Sequence, residues 1–143
     1  MKISIGSDHA GFELKQEVIK HLQNNSLEVI DKGCFSNERA DYPDFGHSVA
    51  LSVLNNETDL GIVICGSGNG INMSVNKHKG IRGALCWTTE LASLARQHNN
   101  ANVLALPARF INHQTAFDCV DAFLNSVFEG GRHQGRIEKI DCK

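Results

Sequence analysis

Residues 59–70, Asp-Leu-Gly-Ile-Val-Ile-Cys-Gly-Ser-Gly-Asn-Gly, run from an apolar stretch straight into a thiol and three alternating glycines. The apolar stretch reads as a short buried strand. Gly66, Gly68 and Gly70 carry no side chains, so backbone N–H groups, that of Asn69 among them, can crowd around one small anion. Cys65 at the strand tip and the Ser67 hydroxyl would share that pocket. The glycines and the helix N-terminus that follows would both favour a thiolate. A base or nucleophile beside an anion nest is the layout of an active site. The bland alternative is a structural thiol above an ordinary turn. The third glycine comes one residue too early for the dinucleotide pattern G-x-G-x-x-G, which disfavours a nicotinamide cofactor. Gly6 and Gly11 have Walker spacing, but Phe12-Glu13 stand where Lys and Ser or Thr are required. No C-x-x-C pair accompanies Cys65, which disfavours thiol redox chemistry.

Other polar residues have the same double reading. Asp8-His9 precedes an amphipathic segment, so each is either a helix-capping residue, Asp8 as the N-cap, or part of the chemistry at the strand end. His98 and Asn99 end a helical pattern, where Asn is a common stop and His a favourable last-turn cation. Arg132 and Arg136 are four apart and share one helix face. A solvated pair is the usual explanation, yet Gly130-Gly131 just before them opens a helix start that attracts anions. His133, Arg39 and Lys77 read as surface residues, and Cys86 and Cys119, in apolar segments, as core.

The elements that must position these groups alternate. Strands are expected at 3–5, 28–31, 60–64, 80–86 and 103–106. Helices are expected around 12–22, 45–54, 69–77, 88–97, 112–128 and 131–140, with an irregular loop over 39–45. Short apolar strands separated by helices imply βαβ units and a parallel sheet covered on both faces. The expected architecture is an α/β, Rossmann-like three-layer sandwich with a five-stranded parallel sheet, forming one domain over 1–143. Such sheets bind ligands at the carboxyl ends of their strands. That edge would collect Ser7-Asp8-His9, Cys65 to Gly70, Cys86-Trp87 and the segment ending in Arg109: an acid, imidazole, thiol, hydroxyl, nest and guanidinium. The set suits acid–base chemistry on a small anion.

A formal charge of −2 signals no basic face, which argues against nucleic acid as a partner. No apolar run reaches the roughly 18 residues of a spanning helix, and the N-terminus shows no signal-peptide core. Five cysteines, an odd number without metal-ligand spacing, fit free thiols in a reducing cytoplasm.

Taken in order, these motifs resemble the ribose-5-phosphate isomerase B family, which includes galactose-6-phosphate and allose-6-phosphate isomerases. The resemblance rests on Gly6-Ser7-Asp8-His9-Ala10-Gly11-Phe12, Asp41-Tyr42-Pro43, Cys65 through Gly70, Asn76-Lys77, Gly80-Ile81-Arg82-Gly83-Ala84, Arg96-Gln97-His98-Asn99, Asn102-Val103-Leu104 and Gly131-Arg132-His133-Gln134-Gly135-Arg136. It covers almost the whole chain. It implies aldose–ketose isomerisation through a cis-enediolate without metal or cofactor. It also implies a homodimer with active sites shared across the interface, a tetramer being the alternative. Carried onto this chain, Cys65 would be the base, Ser67 with the amides of Gly66, Gly68, Asn69 and Gly70 would hold the enediolate, and His98 would open the sugar ring. Asp8, Tyr42 and Asn99 would place hydroxyls, while His9, Arg109, Arg132 and Arg136 would bind phosphate. Relatives without the cysteine use a glutamate just after the last glycine. Here that residue is Ile71, so the chain resembles the cysteine-using branch, with Asp41 a weaker candidate for orienting the base. D-ribose 5-phosphate is the expected substrate; a six-carbon phosphosugar, or phosphosugar binding without catalysis, are the alternatives.

Overall fold

The computed structural model describes residues 1–142. Five strands, β1 (Lys2–Ser7), β2 (Glu28–Asp31), β3 (Leu60–Cys65), β4 (Gly83–Leu85) and β5 (Val103–Pro107), form one parallel sheet in the order β2-β1-β3-β5-β4. Between and after them run α1 (Phe12–Asn24), α2 (Tyr42–Leu54), α3 (Asn69–Val75), α4 (Thr89–Asn99), α5 (His113–Asn125) and α6 (Arg132–Ile137). The expected three-layer α/β architecture is what the chain adopts.

Its central strands are apolar on both faces because both faces are covered. On one side, Ile3, Ile5, Ile62, Ile64, Leu104 and Leu106 pack against α1, α4 and α5. On the other, Val63, Val103 and Ala105 meet Val49, Ala50 and Val53 of α2 and Ile71 and Val75 of α3. Cys86 and Cys119 are buried in the first of these clusters, as expected of core thiols. Buried hydroxyls satisfy one another: Thr58 Oγ1 donates to Ser4 Oγ at 3.0 Å and lies 3.1 Å from Ser52 Oγ.

Several boundaries differ from expectation. α2 begins at Tyr42 rather than 45, because Pro43 occupies its first turn, where a missing N–H is harmless and φ is already helical. β4 is only three residues long: the segment before it is held by side chains instead, with Arg82 N–H donating to Asn102 Oδ1 at 2.8 Å. α3 stops at Val75, where the Asn76 amide bonds both to Asn72 O and to Gly83 O. Side-chain caps begin α4 and α5, with Thr88 Oγ1 accepting from Leu91 N–H and Asn112 Oδ1 from Thr115 N–H. Each such cap contributes about 1 kcal/mol. No helix among the described residues is long and apolar enough to cross a membrane.

Candidate active site

In this strand order the chain leaves β1 toward β2 on one side and later returns to place β3 on the other. The direction of winding therefore reverses between β1 and β3, and the loops leaving these strands diverge and open a crevice. An open cleft of about 530 Å³ lies there, lined by Asp8, His9, Tyr42, Cys65, Ser67 and Arg109. These groups come from the ends of β1, β3 and β5 and the start of α2.

Each is held by its own local chemistry. Asp8 is 7% exposed, and its Oδ1 accepts Gly11 N–H at 3.1 Å, so it does serve as the N-cap of the short 3-10 turn His9–Gly11. His9 Nδ1 lies 3.2 Å from both the N–H and the carbonyl oxygen of Ala40. With Nδ1 accepting from that N–H, the ring proton sits on Nε2, which is left as a donor. Cys65 ends β3 with 4% of its surface exposed. The loop after it turns at Gly68, where a φ of +77° disfavours any side chain and a Cβ would collide with Leu85 Cδ1. Ser67 Oγ accepts Asn69 N–H at 3.3 Å, at the start of α3. Gly70 makes room for the Tyr42 ring; a Cβ there would fall 2.5 Å from Tyr42 Cζ. Arg109 is exposed, and its N–H donates to Gly66 O at 3.0 Å, tying the loop after β5 to the glycine loop. The cleft thus brings an imidazole and a guanidinium to a backbone nest with a thiol at its floor.

The remaining candidates lie elsewhere. Helices run antiparallel to the strands, so α4 starts at the carboxyl edge and delivers His98 and Asn99 to the amino edge. There Arg82 Nε donates to Asn99 O, Asn102 N–H to Arg82 O, and Gly61 N–H to Asn102 O. Gly61 pairs with Val103 and Cys65 with Pro107. Four steps of about 3.3 Å put roughly 13 Å of sheet between the two edges. α6 joins His98: the His98 and His133 rings stack with centroids 4.3 Å apart and planes 13° apart, carrying Arg132 and Arg136 to the same edge. A single chain therefore brings Cys65, Ser67, Asp8, His9, Tyr42 and Arg109 together and sets His98, Asn99, Arg132 and Arg136 apart from them.

His133, expected at the surface, is 6% exposed. Gly131, at φ +56°, turns the chain so that α6 lays this imidazole on His98, a packing that helical spacing alone does not reveal. Burial, then the neighbouring His98 and Arg132, push His133 below the ordinary histidine range. Its Nε2 has no hydrogen-bond partner among the described residues and lies 3.7 Å from Glu129 Oε1, as does His98 Nε2. Ligand atoms of His98, Glu129 and His133 fall within 4.8 Å of one another. Nearly parallel stacked rings, however, keep their in-plane lone pairs from meeting on one cation at about 2 Å.

A family profile described as Ribose/Galactose Isomerase matches residues 3–140. Ribose-5-phosphate isomerase B of Escherichia coli K12 is 50% identical over 139 residues, covering 97% of this chain and 93% of that protein. The ribose-5-phosphate isomerase B structure from Clostridium thermocellum superposes with a TM-score of 0.97 at 50% identity, over 98% of this chain and 95% of the other. That of Mycoplasma genitalium, solved with bound ribulose-5-phosphate, superposes at 0.92 with 48% identity, over 97% and 93%.

Proposed function

The chain belongs to the ribose/galactose isomerase family, and from that membership we propose that it interconverts D-ribose 5-phosphate and D-ribulose 5-phosphate through a cis-enediolate. The observation that carries this is the switch-point cleft with Cys65 beside a glycine loop, in a chain half identical to proteins named for that activity. A five-carbon substrate is favoured over a six-carbon one by the ribulose-5-phosphate bound in the Mycoplasma relative.

In this reading Cys65 moves the proton between C1 and C2. Ile71, after the last glycine, has no proton to exchange. The proton to be removed is weakly acidic, so the enediolate oxygens need donors, and the Ser67 hydroxyl with the amides of Gly66, Gly68 and Gly70 supplies them, the Asn69 N–H holding Ser67 Oγ in place. One such donor is worth about 3 kcal/mol. His9 and Arg109 hold the phosphate, whose binding energy fixes the reacting carbons against the base. Asp8 and Tyr42 place hydroxyls.

His98, Asn99, Arg132 and Arg136 would complete the site from a second copy of the chain, since their own copy sets them at the opposite edge. His98 would then open the furanose, Asn99 would place a hydroxyl, and the two arginines would clamp the phosphate. Tyr42, Trp87 and Phe110, 40, 53 and 74% exposed around the cleft mouth, are the apolar surface such a partner would cover. No metal or organic cofactor is needed for these steps. All five cysteines are unpaired, in keeping with work in a reducing cytoplasm.

The test is a direct ribose 5-phosphate isomerase assay in the presence of EDTA. Activity should survive chelation and fall at least about 10³-fold in Cys65→Ala, the scale of a lost general base. Full activity in that variant would remove Cys65 from the reaction.

A further inference from the structure

Lys15 is fully buried, at 0% exposure, and the chemistry of the cleft does not use it. Its Nζ donates to Asp31 Oδ1 at 2.6 Å and to the carbonyl oxygen of Cys34 at 2.5 Å. The Phe12 and Phe35 rings lie 5.4 and 5.3 Å away. An apolar side chain of the same length would fill that space without desolvating an ammonium, so what the cation holds matters more than what it fills.

Its acceptors lead to the cleft. Asp31 Oδ1 also accepts Gly33 N–H at 2.9 Å. Gly33 O then accepts Ser7 N–H at 2.7 Å, and Cys34 N–H donates to Ser7 O at 2.8 Å. Both backbone groups of Ser7 are thus gripped by the segment that Lys15 pins. The next two residues are Asp8 and His9. Asp8 N–H has a longer tie, 3.3 Å to Ile64 O, so the Ser7 grip is the tighter constraint on this strand exit.

We infer that Lys15 is a positioning residue for the cleft: from the buried face of α1 it fixes segment 31–34, which fixes Ser7 and so sets Asp8 and His9. The inference rests on the proposed function in giving those two residues to the substrate.

The experiment compares the unsubstituted enzyme with Lys15→Met and Lys15→Met/Asp31→Asn. In Lys15→Met, KM for ribose 5-phosphate should rise about tenfold with kcat within about threefold, the pattern of lost binding rather than lost chemistry. Hydrogen exchange at the Ser7 and Cys34 amides should speed at least about tenfold. The double variant leaves no unpaired carboxylate, so its Tm should return toward that of the unsubstituted enzyme. KM and exchange should stay altered in it, because Cys34 O still lacks its donor. The double variant carries the test if the single one does not fold. A KM within twofold of the original, or a KM restored together with Tm, would reduce Lys15 to a stabilising ion pair. An unsubstituted enzyme without isomerase activity would strike the proposed function instead, and amide exchange would still decide the positioning.

Discussion

Cys65, Cys86 and Cys119 are one chemical group in two settings, cleft and core, and the setting decides what each thiol can do. Burial pushes Cys86 up to about 12 and Cys119 up to about 11, so neither supplies thiolate near neutral pH. Cys142 is exposed, and Cys65 lines the cleft. Mass-spectrometric mapping after iodoacetamide at pH 8 should find Cys142 labelled first, and Cys86 and Cys119 modified only in denaturant. Ribose 5-phosphate should protect Cys65 alone; equal labelling of the core thiols in the folded protein would contradict their burial. Cys65 was legible in the sequence because a glycine loop follows it, a covalent adjacency that survives without coordinates. His133 was not, because its burial depends on a positive-φ glycine turn and on contact with a helix more than thirty residues earlier. Lys15 is hidden for a related reason: a lysine in an amphipathic helix reads as solvated, and only its two acceptors, Asp31 at the end of β2 and Cys34 just after it, show otherwise.

At the level of elements, strand and helix order followed from apolar periodicity, and the sheet and its carboxyl edge followed from that order. The ends of elements are less legible, because they are set by particular side chains such as Asn76, which reaches across the turn to Gly83, and Asn102, whose partner Gly80 lies 22 residues earlier. α6 docks through a titratable group, the His133 imidazole stacked on His98. His133 and half-buried His78, whose Nε2 lies 2.8 Å from His47 Nδ1, both titrate below the ordinary histidine range. Their folded affinity for a proton is therefore lower than their unfolded affinity. The unfolded state binds more protons once pH falls below about 6.5, and stability declines from there down to the folded values. Thermal melts between pH 7.5 and 5 should show Tm falling with acid, less steeply in His133→Gln/His78→Gln. Parallel slopes would show that these imidazoles do not contribute.

Across the whole molecule, the sheet holds two chemistries about 13 Å apart, the thiol and nest at one edge and the His98–arginine group at the other. If both groups serve the proposed site, a chain folded this way could not bring them together without breaking its own sheet, and the proposed second copy answers that geometric need. The proposal has a direct test by subunit exchange. Cys65→Ala and His98→Asn homodimers should each be nearly inactive. Mixed and allowed to reassort, half the dimers would carry one intact site of two, restoring about a quarter of normal activity. A mixture that exchanges subunits yet stays inactive would mean that each site is built within one chain.

The same separation has a genetic reading. With the site shared between two copies as proposed, damage at either edge would spoil every site of a population made from one allele, yet two alleles damaged at opposite edges would repair each other inside one cell. Loss of function here would then be a property of allele pairs, and recessive lesions would sort into two complementing groups that map onto the two ends of the sheet.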